Sequence, residues 1–267
     1  PKNDKYFSEY AFPDRLKIIS NFSGSAGFAI VLRKKNYLFV DGRYTLQAKI
    51  QSGKNFKIFE IPKIYPSSIF KNSKNKINIG FDPNLFNNLI LKKYFGNNCN
   101  LIPIKKNLVD SIQMIKNKKK DNFFYNLSHR VTGEKSTSKI KRLIKILNNK
   151  SIDNIFISAP ENVAWLLNLR GSDNPNSPIP NCRAIVNKNN QIFLFSNLLK
   201  VKKIMKFPIY NKINFRTDEQ FFSVINNLKG NSFCIDKNTC SVFYQSLINS
   251  KFKILSQEDP CYDLKSI

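Results

Sequence analysis

The chain has 267 residues, 42% hydrophobic and 13% aromatic, with 44 Lys and Arg against 18 Asp and Glu for a net charge of +26. That composition excludes a disordered polypeptide, and the length suits two domains of ordinary size. No stretch reaches eighteen consecutive apolar residues, so no membrane span is read, and no signal peptide opens the sequence.

In chain order, residues 28–32 and 37–40 are short apolar runs joined by polar turn residues, which predicts a hairpin. Residues 43–51 are helix-like, and residues 56–61 and 77–81 read as strands. Pro83 follows Asp82 as a helix-start signal and is expected in a first helical turn. Residues 138–149 place Ile140, Leu143, Ile144 and Leu147 on one helical face. Residues 152–158 read as a strand, and residues 162–169 as a helix containing the only tryptophan, Trp165. Residues 182–186 and 192–195 repeat the hairpin. Hairpins mixed with helices predict an α/β protein whose mixed sheets carry helices on both faces.

The sequence also repeats itself. Ser20-Asn21-Phe22-Ser23-Gly24-Ser25 aligns with Leu167-Asn168-Leu169-Arg170-Gly171-Ser172, keeping Asn, Gly and Ser in register. Ala29-Ile30-Val31 recurs as Ala184-Ile185-Val186, and Leu38-Phe39-Val40 as Phe193-Leu194-Phe195. Asp82 and Asn84 match Asp236 and Asn238. A period this long means duplicated domains, with a seam at Thr132-Gly133-Glu134 and domains over residues 1–131 and 132–267. The second copy opens with a helix and a strand that the first copy lacks. On the order of 20 residues, one helix and one strand, are therefore expected ahead of Pro1.

Few residues offer chemistry. His129 is the single histidine, which rules out histidine clusters and is read as a surface or structural residue. Asp259 and Asp263, four apart, are expected to be a solvated pair in a proline-broken segment. Phe22-Ser23-Gly24-Ser25-Ala26-Gly27 fails the nucleophile-elbow spacing, because Gly24 directly precedes Ser25. Its small residues suit a tight turn with close backbone approach. Asp41-Gly42-Arg43-Tyr44 reads as a turn into a helix with an internal Asp–Arg pair. The five cysteines, at 99, 182, 234, 240 and 261, contain no CxxC pair. They are read as reduced, mostly buried thiols of a cytoplasmic protein. The charge comes from 36 lysines and 8 arginines, and the run 116–120 lacks interleaved aromatics. A solvated basic face with nonspecific polyanion affinity fits better than specific nucleic-acid recognition.

Residues 168–180 stand apart. The apolar run turns abruptly to Asn168, Arg170, Gly171, Ser172 and Asp173, then to prolines at 175, 178 and 180. Proline fixes its own backbone and extends the residue before it, so this loop should be stiff. Its polar groups either satisfy one another and the backbone or face a ligand, with Arg170 the strongest donor.

Four stretches together resemble the N-terminal half of long-form Xaa-Pro aminopeptidases, the three-domain aminopeptidase P enzymes of the creatinase/prolidase family (peptidase family M24B). They are residues 8–31, 38–48, 161–180 and the closing 259–267. The resemblance implies two tandem creatinase N-terminal-type domains, each a three-layer α/β/α arrangement with a ribonuclease H-like motif. It also places a helix and strand ahead of Pro1. It implies a third, pita-bread domain whose Asp, His and Glu ligands hold two divalent metal ions, usually manganese. There a metal-bound hydroxide attacks the peptide bond before a penultimate proline. None of those ligands maps onto this sequence, so no catalytic or metal-binding residue is expected within it, and the chain alone is expected to be inactive. The expected partners are its own C-terminal catalytic domain, a peptide with penultimate proline and a second subunit in a homodimer. Asn168, Arg170, Gly171, Ser172 and Asp173 match the family's loop. They are expected on the substrate side or at an interdomain contact, Arg170 as donor and Asp173 as its orienting partner. Two other readings stay open: a free-standing ligand- or protein-binding module, and a basic nucleic-acid-binding protein.

Overall fold

A computed structural model describes residues 1–8, 13–71, 76–112 and 123–266. The chain forms two compact units, Pro1–Lys118 and Lys119–Ile267. The second unit thus begins ahead of Thr132-Gly133-Glu134. The basic run 116–120 lies outside the described residues.

In the first unit, helix α1 (Arg15–Ser20) ends at Asn21 in the left-handed conformation. Strands β1 (Gly27–Val31) and β2 (Asn36–Asp41) form the expected antiparallel hairpin. Helix α2 (Thr45–Ser52) returns the chain so that β3 (Lys57–Ile61) pairs parallel with β2. Helix α3 (Pro66–Phe70) leads to β4 (Ile77–Phe81), and α4 (Asn88–Phe95) to β5 (Cys99–Pro103), which pairs parallel with β4. Helix α5 (Leu108–Ile112) ends the described part of this unit. One face of β1–β3 packs Leu38 and Val40 against Leu16, Phe22, Ala48 and Phe56. The other face is aromatic: Phe28 stacks on Phe39 at 4.8 Å and on Tyr94 of α4 at 4.7 Å.

Pro83 is not in a helix. Asp82 Oδ1 accepts from the Asn84 N–H at 2.9 Å and closes a turn that buries Leu85 and Phe86. Helix α4 starts later because Asn87 supplies the cap, accepting from the Ile90 N–H at 2.8 Å.

The second unit opens with β6 (Tyr125–Asn126) and α6 (His129–Thr132), then α7 (Ser136–Asn149), β7 (Asn154–Ile157) and α8 (Pro160–Leu167). The short β8 (Leu169–Arg170) follows α8, and β9 (Arg183–Asn187) and β10 (Ile192–Phe195) form the second hairpin. Helix α9 (Leu198–Val201), β11 (Ile213–Arg216), α10 (Phe221–Asn227) and β12 (Ser232–Ile235) come next. Helix α11 (Val242–Asn249), β13 (Lys253–Ser256) and α12 (Pro260–Lys265) complete the unit.

Its sheet has six strands in the order β11-β10-β9-β7-β12-β13. Strand β9 is antiparallel to both neighbours, and the remaining pairs are parallel. Alternate residues of each strand point to opposite faces. Ile155 and Ile157 of β7 therefore join Leu143, Leu147, Val163 and Leu166 in one core layer. Phe156 joins Phe221, Ile225, Tyr244 and Ile248 in the other. The unit is a mixed sheet between two helix layers, as the patterning predicts.

The duplication is visible in local geometry. Asn21 and Asn168 both end a helix with positive φ, 60° and 53°. Asp236 repeats the turn of Asp82, accepting from the Asn238 N–H at 2.8 Å. The tight turn before β1 depends on glycine: a Cβ on Gly24 would lie 2.2 Å from the Phe22 ring.

Candidate functional site

Helix α8 delivers the loop. Pro160 occupies its first turn, where no intrahelical N–H is needed. The helix ends at Leu167, two residues before the sequence pattern suggested, because Asn168 adopts the left-handed conformation. Leu169 and Arg170 then leave as β8 and pair antiparallel with Asn126 and Tyr125 of β6. A two-residue pairing across so long a sequence separation leaves no periodic signal.

Asn168 is an anchor and not a surface group, at 2% exposure. Its Oδ1 accepts from Lys139 Nζ at 2.7 Å, and its Nδ2 donates to the Glu134 carbonyl at 2.9 Å. Its own carbonyl accepts from the Leu127 N–H at 2.9 Å. Lys139 is itself buried, donates to the Trp165 carbonyl at 3.0 Å and sits 4.6 Å from the Trp165 ring centroid. Burial lowers its pKa, Arg170 and Arg142 add to that effect, and Glu134 opposes it. Arg142 approaches the same indole at 5.8 Å, so two cations flank the single tryptophan.

Arg170 Nη1 donates to the carbonyls of Ala164 at 3.2 Å and Leu169 at 2.8 Å. Gly171 is buried and donates to the Pro178 carbonyl at 3.1 Å. A Cβ here would lie 2.9 Å from Pro180 and 3.2 Å from Phe124, so the loop closes only on glycine. Ser172 is exposed. Asp173 takes Lys200 as its ion-pair partner and accepts from the Asn181 N–H at 2.7 Å, with its side chain 2% exposed. The expected Arg170–Asp173 pair is thus replaced by two separate anchors. One ties the start of the loop to α8, the other ties Asp173 to the loop's end and to α9.

Lys139, Asn126 and Lys200 were not singled out in the sequence. Lys139 alone carried a signal, since it falls on the apolar face with Ser136, Ile140 and Leu143. Elsewhere, Asp259 is not a solvated carboxylate. It is 2% exposed, caps α12 by accepting from the Cys261 N–H at 2.9 Å, and accepts from Asn162 Nδ2 at 2.7 Å. Pro260 begins that helix instead of breaking it. Burial raises the Asp259 pKa, and the two hydrogen bonds oppose the shift. Asp263 is exposed, and so is His129 at the start of α6. Asp41 and Arg43 do pair, at 2.8 Å, on the surface. All five cysteines are buried free thiols, and burial pushes Cys234 up to about 11. Among the described residues, no group of three or more His, Cys, Asp or Glu could hold a metal ion. No helix among them is long and apolar enough to cross a membrane.

Residues 118–267 match a family described as Creatinase/Prolidase N-terminal domain, and residues 1–115 match a second family of the same description. A probable Xaa-Pro aminopeptidase P of Laccaria bicolor is 33% identical over 206 residues, 73% of this chain and 32% of the relative. Xaa-Pro aminopeptidase 1 of Dictyostelium discoideum is 29% identical over 245 residues, 84% of this chain and 37% of the relative. The chain thus spans about a third of the length of these relatives. The crystal structure of the X-prolyl aminopeptidase of Caenorhabditis elegans, described as a cytosolic enzyme with a dinuclear active site, shares the fold. Its TM-score is 0.84 at 23% identity, over 97% of this chain and 45% of that one. The second unit's match alone covers more than half of the sequence, and the chain belongs to the creatinase/prolidase N-terminal domain family.

Proposed function

We propose that the two units are the noncatalytic N-terminal region of a dinuclear-metal Xaa-Pro aminopeptidase, which removes N-terminal residues preceding proline. The described residues do not supply a metal-holding group, so no metal step is assigned to them. Their part is to shape substrate access and to dock the catalytic domain, in a cytoplasmic enzyme that pairs with a second copy. The observation that carries the reading is the loop of residues 168–180. It is stiffened by prolines and held from both ends by buried groups, Asn168 and Asp173. A surface loop fixed this well supports a rigid wall, and rigid positioning is how a distant group contributes to rate.

The test is Arg170→Ala in the full-length enzyme, assayed on a peptide with penultimate proline. The expected result is a loss of about tenfold or more in kcat/KM, in line with a misplaced positioning group. Unchanged kcat/KM together with unchanged docking of the catalytic domain would overturn the role.

A further inference from the structure

We propose that residues 198–212 of the second unit form a docking face for a bilayer surface that carries anionic headgroups. The inference is independent of the catalytic reading.

The segment is firmly held. Val201, Ile204 and Tyr210 are buried in the core layer that contains Leu143 and Leu166. The Tyr210 hydroxyl donates to the Leu167 carbonyl at 3.0 Å, and the Lys200 carbonyl accepts from the Phe124 N–H at 2.8 Å. Lys200 itself pairs with Asp173. Between these anchors the chain forms α9 and two short 3-10 turns, Ile204–Lys206 and Pro208–Tyr210. With three side chains committed inward, their apolar neighbours turn out. Leu199 is 65% exposed, and Leu198, Met205, Phe207 and Ile209 are between 40% and 49% exposed. A single apolar residue on a surface is ordinary, but five in one anchored segment form a patch suited to a partner. Their removal from water is the favourable part of that association.

Charge selects the occupant. Lys202, Lys203, Lys206 and Lys212 lie exposed among these apolar residues. No Asp or Glu occurs between Asp173 and Asp218, so the segment carries no countercharge of its own. Apolar side chains that enter the headgroup boundary, with lysines spread around them, are the chemistry of a peripheral membrane contact. Each lysine close to an anionic leaflet adds to the attraction. A second copy of the chain fits less well. A two-fold contact sets one patch against itself, which here would bring lysines against lysines. A protein partner also fits less well, because protein interfaces are depleted of lysine and enriched in arginine. The segment has no arginine.

The test uses the full-length protein with vesicles of phosphatidylcholine alone or mixed with phosphatidylserine, at physiological ionic strength. The protein should sediment with the mixed vesicles and much less with the neutral ones. Leu199→Asn combined with Phe207→Asn should weaken binding about tenfold or more, because apolar area is withheld from the boundary. Lys202→Gln, Lys203→Gln and Lys206→Gln together should weaken it about a hundredfold. Lys34→Gln, Lys35→Gln and Lys54→Gln together remove the same charge from exposed sites of the first unit and should change it far less. Met205→Cys reports on the face directly, since the five native thiols of this chain are buried. Maleimide should label it in solution, and only the mixed vesicles should block the reaction.

Equal losses from the two lysine sets would reduce the effect to the net charge of +26 and overturn the proposal. So would vesicle binding that ignores the two apolar substitutions, or no binding to the mixed vesicles, which would leave the face to a protein partner. A Met205→Cys variant that resists maleimide without vesicles would also overturn it, since another part of the polypeptide would then cover the face.

Discussion

The two units are built on one plan and differ in their middle. In the second, β7 joins a three-stranded piece to a two-stranded piece, and β9 beside it is buried at all five residues. In the first, the same two pieces stand separately, and β1 alternates between buried and partly open residues. One central strand, buried on both faces, decides whether its neighbours are core or edge. Sequence similarity between repeats therefore does not make their residues equivalent in energy.

The repeat partners Val186 and Val31 test this most severely. Val186→Asp places an unpaired charge in a closed core and should cost about 4 kcal/mol or more. Val31→Asp in the chain beginning at Pro1 should stay within about 0.5 kcal/mol, because the side chain already faces water. Denaturant melts of both variants measure the difference, and similar losses would break the comparison. The helix-ending asparagines come next. Asn168→Ala strips partners from buried Lys139 and from the Glu134 carbonyl, and should cost about 2–3 kcal/mol. Asn21→Ala, at an exposed site, should cost about 1 kcal/mol for the left-handed backbone alone.

A further effect is pH-dependent. Asp153, just before β7, accepts from the Asn231 and Ser232 N–H groups at 2.8 and 3.0 Å and pairs with Lys188 at 2.7 Å. The Lys188 ammonium and these donors hold its carboxyl well below the usual carboxylate range. A depressed folded-state pKa contributes stability that is full above the unfolded value, near pH 4, and is lost as pH falls through the folded value. Asp153→Asn should therefore cost about 1–2 kcal/mol at pH 7. The gap from the unaltered chain should close as the medium is acidified below pH 4, which chemical melts across pH would follow.

Much of this organisation was legible in the residues. Both hairpins followed from short apolar runs with turn residues between them, since strand period and turn chemistry are local properties. Asn21 and Asn168, or Asp82 and Asp236, were legible as repeats because each does a backbone task that only a few side chains can do. What escaped was non-local. The pairing of β6 with β8, the Asp173–Lys200 pair and the burial of Asp259 depend on which distant segment arrives beside each residue. Pro83 misled for a related reason. Proline and Asp at a helix start and in a tight turn look alike until the burial of Leu85 and Phe86 decides between them.

Trp165 has a consequence of its own. It is the one tryptophan in the sequence, lies in the second unit, and is flanked by Arg142 and by Lys139, the lysine that also holds Asn168 at the start of the loop. Indole emission is thus a native optical probe that observes one unit alone, while circular dichroism reads both. Red-edge shifts or changes in quenching by iodide would register disturbance of the loop's anchorage without any label, and would separate it from events in the other half of the chain.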